Sequence, residues 1–134
     1  MGLTYAEITL INADDLALAK RKFIPKSEVK QMITCALVDS GAFMLTISDS
    51  IKRQLGLDVV ELADGSLAEC EIVGPIDVRF KTRRTTCDAV VLPGAPEVLL
   101  GAIPLESMDV IIDVKNQELT LPPERPYIAR TKVK

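Results

Sequence analysis

Apolar and polar residues alternate with a period of two over much of the chain. Ala6, Ile8 and Leu10 alternate with Tyr5, Glu7 and Thr9, and Ile76, Val78 and Phe80 alternate with Asp77, Arg79 and Lys81. Such alternation marks strands with one covered face. Residues 32–38, 87–92 and 109–114 are mostly apolar, and this pattern predicts strands covered on both faces. Many short strands parted by turns predict an all-β protein, a small barrel or sandwich. Helical signals are few. Asp14-Asp15 can cap a short helix that ends before Pro25. Ser48 or Asp49 can cap a second, with Gly56 at its C-terminal end. A third starts near Ala102 and takes Pro104 into its first turn. Tight turns are expected at Asp64-Gly65 and Lys115-Asn116. From Pro122 the chain becomes proline-rich and then basic, as an extended or frayed end would. The expected organisation is one domain over residues 1–121 and a tail over 122–134.

Composition narrows the chemistry. The chain of 134 residues contains no His. Ser-His and Cys-His nucleophilic sites are therefore excluded within one chain, as are His-ligated metals. Cys35, Cys70 and Cys87 are widely spaced with no CxxC pair, so they are expected to be buried, reduced thiols and not zinc ligands. The net charge of −3 is too mild to predict a nucleic-acid or membrane-surface partner. The N-terminus has neither a basic start nor an apolar run, and no apolar segment is long enough to span a bilayer. The expectation is a soluble cytoplasmic protein.

Val38-Asp39-Ser40-Gly41-Ala42 is the stretch that carries chemistry. The apolar residues Leu37 and Val38 deliver an Asp into a Ser-Gly-Ala turn, and apolar residues resume at Phe43. A strand ending there would hold the carboxylate on a rigid element. Gly41 allows a tight turn that brings a backbone N–H to that carboxylate. The Ser40 hydroxyl can bond neighbouring backbone, and Ala42 leaves space for a substrate. Later comes Val98-Leu99-Leu100-Gly101, a hydrophobic run closed by Gly.

An Asp-Ser-Gly turn followed by a hydrophobic-hydrophobic-Gly element resembles the retropepsin-like aspartic peptidases, over residues 3–121. The resemblance implies a closed retropepsin-like barrel with one to three short helices. It implies a catalytic role for Asp39, supported by Ser40, Gly41 and Ala42. Ala63, Asp64, Gly65 and Ser66 match the flap, a hairpin whose tip closes over substrate. Leu99, Leu100 and Gly101 match the second half of the ψ motif that supports the catalytic turn, and the third helix follows them. Ser40 matches the position whose hydroxyl bonds across a two-fold axis. Because the motif occurs once, the resemblance implies a homodimer with an Asp39 pair and a peptide or protein substrate. Facing carboxylates hold one proton between them, since both cannot ionise cheaply at close range. The ionised member can take a proton from water while the other donates to the scissile carbonyl. No metal or organic cofactor is required.

The sequence also departs from that family. Retroviral members pair an acidic residue after the motif Gly with an Arg after the later Gly; here those positions are Phe43 and Ala102. The segment 13–27 is long, and the proline-rich tail has no counterpart. Two other readings follow: a non-catalytic dimeric peptide-binding or scaffolding module on the same barrel, and an unrelated barrel with Asp39 exposed in a surface loop. A Ser-Lys hydrolase finds no support, because position 43 is Phe43 and not Lys. Asp109 and Asp113 read as solvated strand ends, and Arg83-Arg84 as a short charged turn.

Overall fold

The first alternating segment becomes β1 (Tyr5–Asn12), which turns Ala6, Ile8 and Leu10 inward and Tyr5 and Glu7 to solvent. The structure, a computed structural model, describes residues 3–63 and 70–125. After β1 come α1 (Ala13–Lys20), a 3-10 turn (Lys26–Glu28), β2 (Gln31–Val38), β3 (Leu45–Ile47) and α2 (Asp49–Leu55). They are followed by β4 (Asp58–Ala63), β5 (Cys70–Phe80), β6 (Arg83–Val91), β7 (Val98–Leu100), α3 (Ala102–Met108), β8 (Ile111–Asp113) and β9 (Glu118–Thr120).

β1 to β7 form a seven-stranded sheet in the order β1-β2-β7-β3-β6-β5-β4. β1 also pairs with β5, Thr9 opposite Arg79 and Asn12 opposite Ile76, so six strands close into a barrel and β4 extends beyond it. Closure pairs the six barrel strands on both sides and encloses a core of Ile8, Leu10, Leu45, Ile47, Val78 and Leu100. Two pairings, β2–β7 and β3–β6, are parallel and join strands far apart in sequence. The small β8–β9 hairpin packs beside the barrel, with Leu119 in the core.

The helices start and stop for local reasons. The Ser48 side chain accepts from the Ile51 N–H, and Gly56 ends α2 in the left-handed region at φ 61. α3 takes Pro104 into its first turn. For α1 the cap is Asn12, whose side chain accepts from the Asp15 N–H, and not Asp14 or Asp15. Asp15 instead receives the Lys30 N–H and ammonium, at 3.1 and 3.2 Å.

Three expectations of doubly covered strands are corrected. β2 presents Gln31, Ile33 and Cys35 outward, with Ile33 67% exposed, because β1 and β7 flank it edge to edge and none of the described residues covers this outer face. β6 alternates, and Leu92 beyond it is exposed. The strand expected over 109–114 shortens to β8, with Ile111 and Val114 exposed. Cys35 is therefore an exposed thiol, while Cys70 and Cys87 are half-buried, and all three are free.

Arg83 and Arg84 open β6, and the turn lies at Lys81-Thr82 before them. Arg83 is 2% exposed. It donates to the Met108 carbonyl at 3.0 Å and to the Arg125 carbonyl, and lies 3.6 Å from Asp109. Asp109 is thus no solvated strand end. It caps α3 at φ 55 and also takes a two-pronged bond from Arg125, at 2.7 and 3.2 Å. The described start of the tail is fastened too: Pro122 is buried, and the Arg125 N–H bonds to its carbonyl at 3.0 Å.

Candidate active site

β2 ends at Val38 and hands Asp39 to a tight turn. The Asp39 N–H donates to the Leu100 carbonyl at 3.0 Å, which continues the parallel β2–β7 ladder of Leu37 with Leu99 and Val38 with Leu100. The Ala42 N–H returns to the Asp39 carbonyl at 3.0 Å and closes the turn. The Gly41 N–H donates to Asp39 Oδ1 at 3.0 Å, so the turn's own backbone aims the carboxylate. Among the described residues no cation lies within ion-pair distance of Asp39, which is half-buried.

The second motif locks into the first. β7 lies between β2 and β3, with Thr46 opposite Leu99. Beyond it the Ala102 N–H bonds to the Ala42 carbonyl at 2.8 Å and the Ile103 N–H to the Phe43 carbonyl at 3.0 Å. The two chain segments cross at Gly101. A Cβ there would overlap the Met44 carbonyl oxygen and lie 2.8 Å from that of Ala42, so close approach of two backbones requires glycine. The structure thus brings Asp39, Gly41 and Ala42 together with Leu99, Leu100 and Gly101, through backbone contacts.

Ser40 is exposed at the outer side of the turn, beside a cavity of about 310 Å³ lined by Ala102, Leu105, Glu106, Val110 and Ile112. Phe43 is 74% exposed and Ile103 partly so, which leaves an apolar rim next to the turn. The flap reading is reached only in part. β4 and β5 form the two legs of a hairpin, Ala63 paired with Cys70 and Leu62 with Glu71, whereas Asp64, Gly65 and Ser66 lie outside the described residues. α2 braces one leg through Lys52 and Glu71 at 2.6 Å. The bulge between Val59 and Glu61 leaves Val59 and Val60 exposed. Among the described residues no group of three or more His, Cys, Asp or Glu side chains gathers as a metal ion requires. Reasoning from sequence missed the Arg83–Asp109–Arg125 cluster at the far end of α3; its signal was an Arg at an inward position of an alternating strand.

A closed barrel whose Asp-bearing turn is interlocked with a Leu-Leu-Gly strand, with three short helices, has the retropepsin-like fold. The retroviral protease-like domain of Ddi1 from Leishmania major is similar in structure, with a TM-score of 0.61, 19% identity, and coverage of 92% of this chain and 90% of that one. A retropepsin-like aspartic protease from Rickettsia conorii aligns over 84% of this chain and 89% of its own at 14% identity and a TM-score of 0.49. The EIAV protease complexed with an inhibitor aligns over 55% and 74% at 19% identity and a TM-score of 0.42. No protein-family profile and no curated protein matches the sequence.

Proposed function

We propose that this chain is one half of a homodimeric aspartic endopeptidase, in which Asp39 of two copies share one proton across a two-fold axis. The observation that carries the reading is the aimed carboxylate: Oδ1 of Asp39 held at 3.0 Å by the Gly41 N–H, in a turn anchored to Leu100. A single such motif per chain needs a second copy to supply both a base and an acid. The ionised carboxylate takes a proton from water, and the resulting hydroxide attacks the scissile carbonyl carbon. The protonated partner gives its proton to the carbonyl oxygen. Collapse of the tetrahedral diol then breaks the C–N bond: the amine leaves with a proton from one carboxyl, and a diol hydroxyl returns its proton to the other, which restores the one-proton pair. An extended peptide would lie between the β4–β5 hairpin and the Asp39 turn, bound by strand addition. Apolar side chains beside the scissile bond would suit the apolar rim at Phe43. The reaction needs no metal or organic cofactor, and the proposed compartment is the cytoplasm.

A digest of a peptide library by the wild-type chain and by Asp39→Asn tests this. Loss of all cleavage in a variant that stays folded and dimeric is the expected result; undiminished cleavage rules the mechanism out. One observation favours a second reading, a dimeric peptide-binding module without catalysis. Phe43 and Ala102 stand where the retroviral members have an ion pair, so a polar anchor for substrate backbone is replaced by apolar surface. A dimer that binds peptides but cuts none between pH ~3 and ~7 supports that module.

A further inference from the structure

The excursion between β1 and β2, residues 13–30, does no work for the core. α1 buries none of its residues. It is nevertheless firmly built. Asn12 caps α1 and its side-chain amide donates to the Leu55 carbonyl at 2.8 Å, while its own N–H reaches the Lys30 carbonyl at 2.9 Å. Lys30 is pinned to Asp15, and the Phe23 N–H returns to the Leu18 carbonyl at 2.9 Å. The backbone that carries these side chains is thereby held in place, so binding need not order it.

Two concavities adjoin on this excursion, of about 450 and 220 Å³, and share Ala19, Lys20 and Lys26. The larger is lined by Lys20, Lys22, Phe23, Ile24, Pro25 and Lys26. Leu16 and Val29 add apolar surface to the smaller. Phe23 is 73% exposed. Residues 20–26 carry four cations and no anion in a chain of net charge −3. Lys20, Arg21, Lys22 and Lys26 make no ion pair among the described residues. Arg79, at the edge of the smaller concavity, is already committed to Asp77 at 2.9 Å.

We propose that this trough docks an acidic peptide segment of another protein that carries an apolar anchor. Carboxylates would meet the unpaired lysines, and an apolar side chain would lie against Phe23, Ile24 and Pro25. One peptide carrying both carboxylates and an apolar side chain matches the lysines beside Phe23, Ile24 and Pro25, and a single aromatic offers no stacking platform for a nucleic-acid strand. This docking is independent of the chemistry at Asp39.

The test uses the full chain with Asp39→Asn, so that no probe is cut, and a fluorescein-labelled peptide Glu-Asp-Glu-Leu-Phe-Glu-Asp-Glu followed by anisotropy. Binding that weakens with added salt is expected, with the Gln/Asn version of the peptide bound about tenfold more weakly. Lys20→Glu combined with Lys22→Glu and Lys26→Glu should weaken binding by about tenfold or more. Phe23→Ser alone should weaken it by about fivefold, and its fold is checked by circular dichroism. Equal affinity for the neutral peptide, undiminished binding by the charge-reversed chain, or no binding overturns the proposal. So does binding of phosphatidylserine vesicles or of a single-stranded oligonucleotide in place of the peptide. A peptide held at the Asp39 cleft would be insensitive to these exposed substitutions, so it also counts against the trough.

Discussion

α3 is fastened at both ends, and by different chemistry. At its N-terminal end the Ala102 and Ile103 N–H groups bond to the carbonyls of Ala42 and Phe43, and among the described residues no side chain caps it by a hydrogen bond. At its C-terminal end a buried Arg83, the capping Asp109 and Arg125 hold it through charge. Between them Thr85 and Ser107 share a hydrogen bond at 2.6 Å that ties α3 to β6. The backbone end fixes the position of the Asp39 turn while leaving its side chains available for chemistry. It should tolerate changes of side-chain type and fail on added size at Gly101, where a Cβ would meet the Met44 and Ala42 carbonyl oxygens. The charged end has the opposite sensitivity, because a buried guanidinium without its carboxylate is an uncompensated charge.

Substitutions at each end can break that contrast. The largest effect belongs to Asp39→Asn, expected to lower peptide cleavage by about 10⁴-fold or more with an unchanged melting temperature. A large drop in stability would mean that the carboxylate is structural. At the charged end, Asp109→Asn keeps a residue that tolerates the left-handed backbone but leaves Arg83 buried beside two carbonyls, and should cost about 3 kcal/mol in urea unfolding. At the backbone end, Gly101→Ala should cost about 2 kcal/mol, since two carbonyl oxygens must move. It should also reduce cleavage, whereas Asp109→Asn should act on stability first. Equal losses of activity per unit of stability would erase the distinction between the ends.

Alkaline pH probes the barrel wall between them. Burial, with lesser help from Asp88 and Asp77, pushes the Cys87 thiol up from 9.0 to about 12. The folded chain keeps this proton over a range where the unfolded chain loses it, so stability is intact below 9.0 and falls as pH rises towards about 12. Cys87→Ala should flatten that decline, and an equally steep decline in the variant would remove Cys87 as its source. The smallest expected change is Ser48→Ala, which removes only the cap of α2, at about 1 kcal/mol, and leaves α3 untouched.

Much of the architecture was legible along the chain. Period-two segments became β1 and β5, Ser48 and Gly56 bounded α2, and Ala102 opened α3. These features depend on neighbours a few residues away, which a sequence displays directly. The candidate turn was legible for the same reason, since Asp39 and Gly41 are two positions apart and bond each other. The outer face of β2 was not: Ile33 and Cys35 are apolar by type, and residue type does not say whether another layer covers them.

By itself, then, the order of residues determined the local elements, the Asp-Ser-Gly turn and the glycine at which a second strand can pass it. Only the tertiary structure decided which strands lie side by side, that Arg83 is buried and not part of a solvated turn, and that Asp109 closes a helix. The physical reason is range. Capping, alternation and tight turns are settled within one helical turn or one strand pair. The barrel closure of β1 on β5 and the cradle around Arg83 depend on carbonyls and carboxylates from segments that meet only when the whole chain folds.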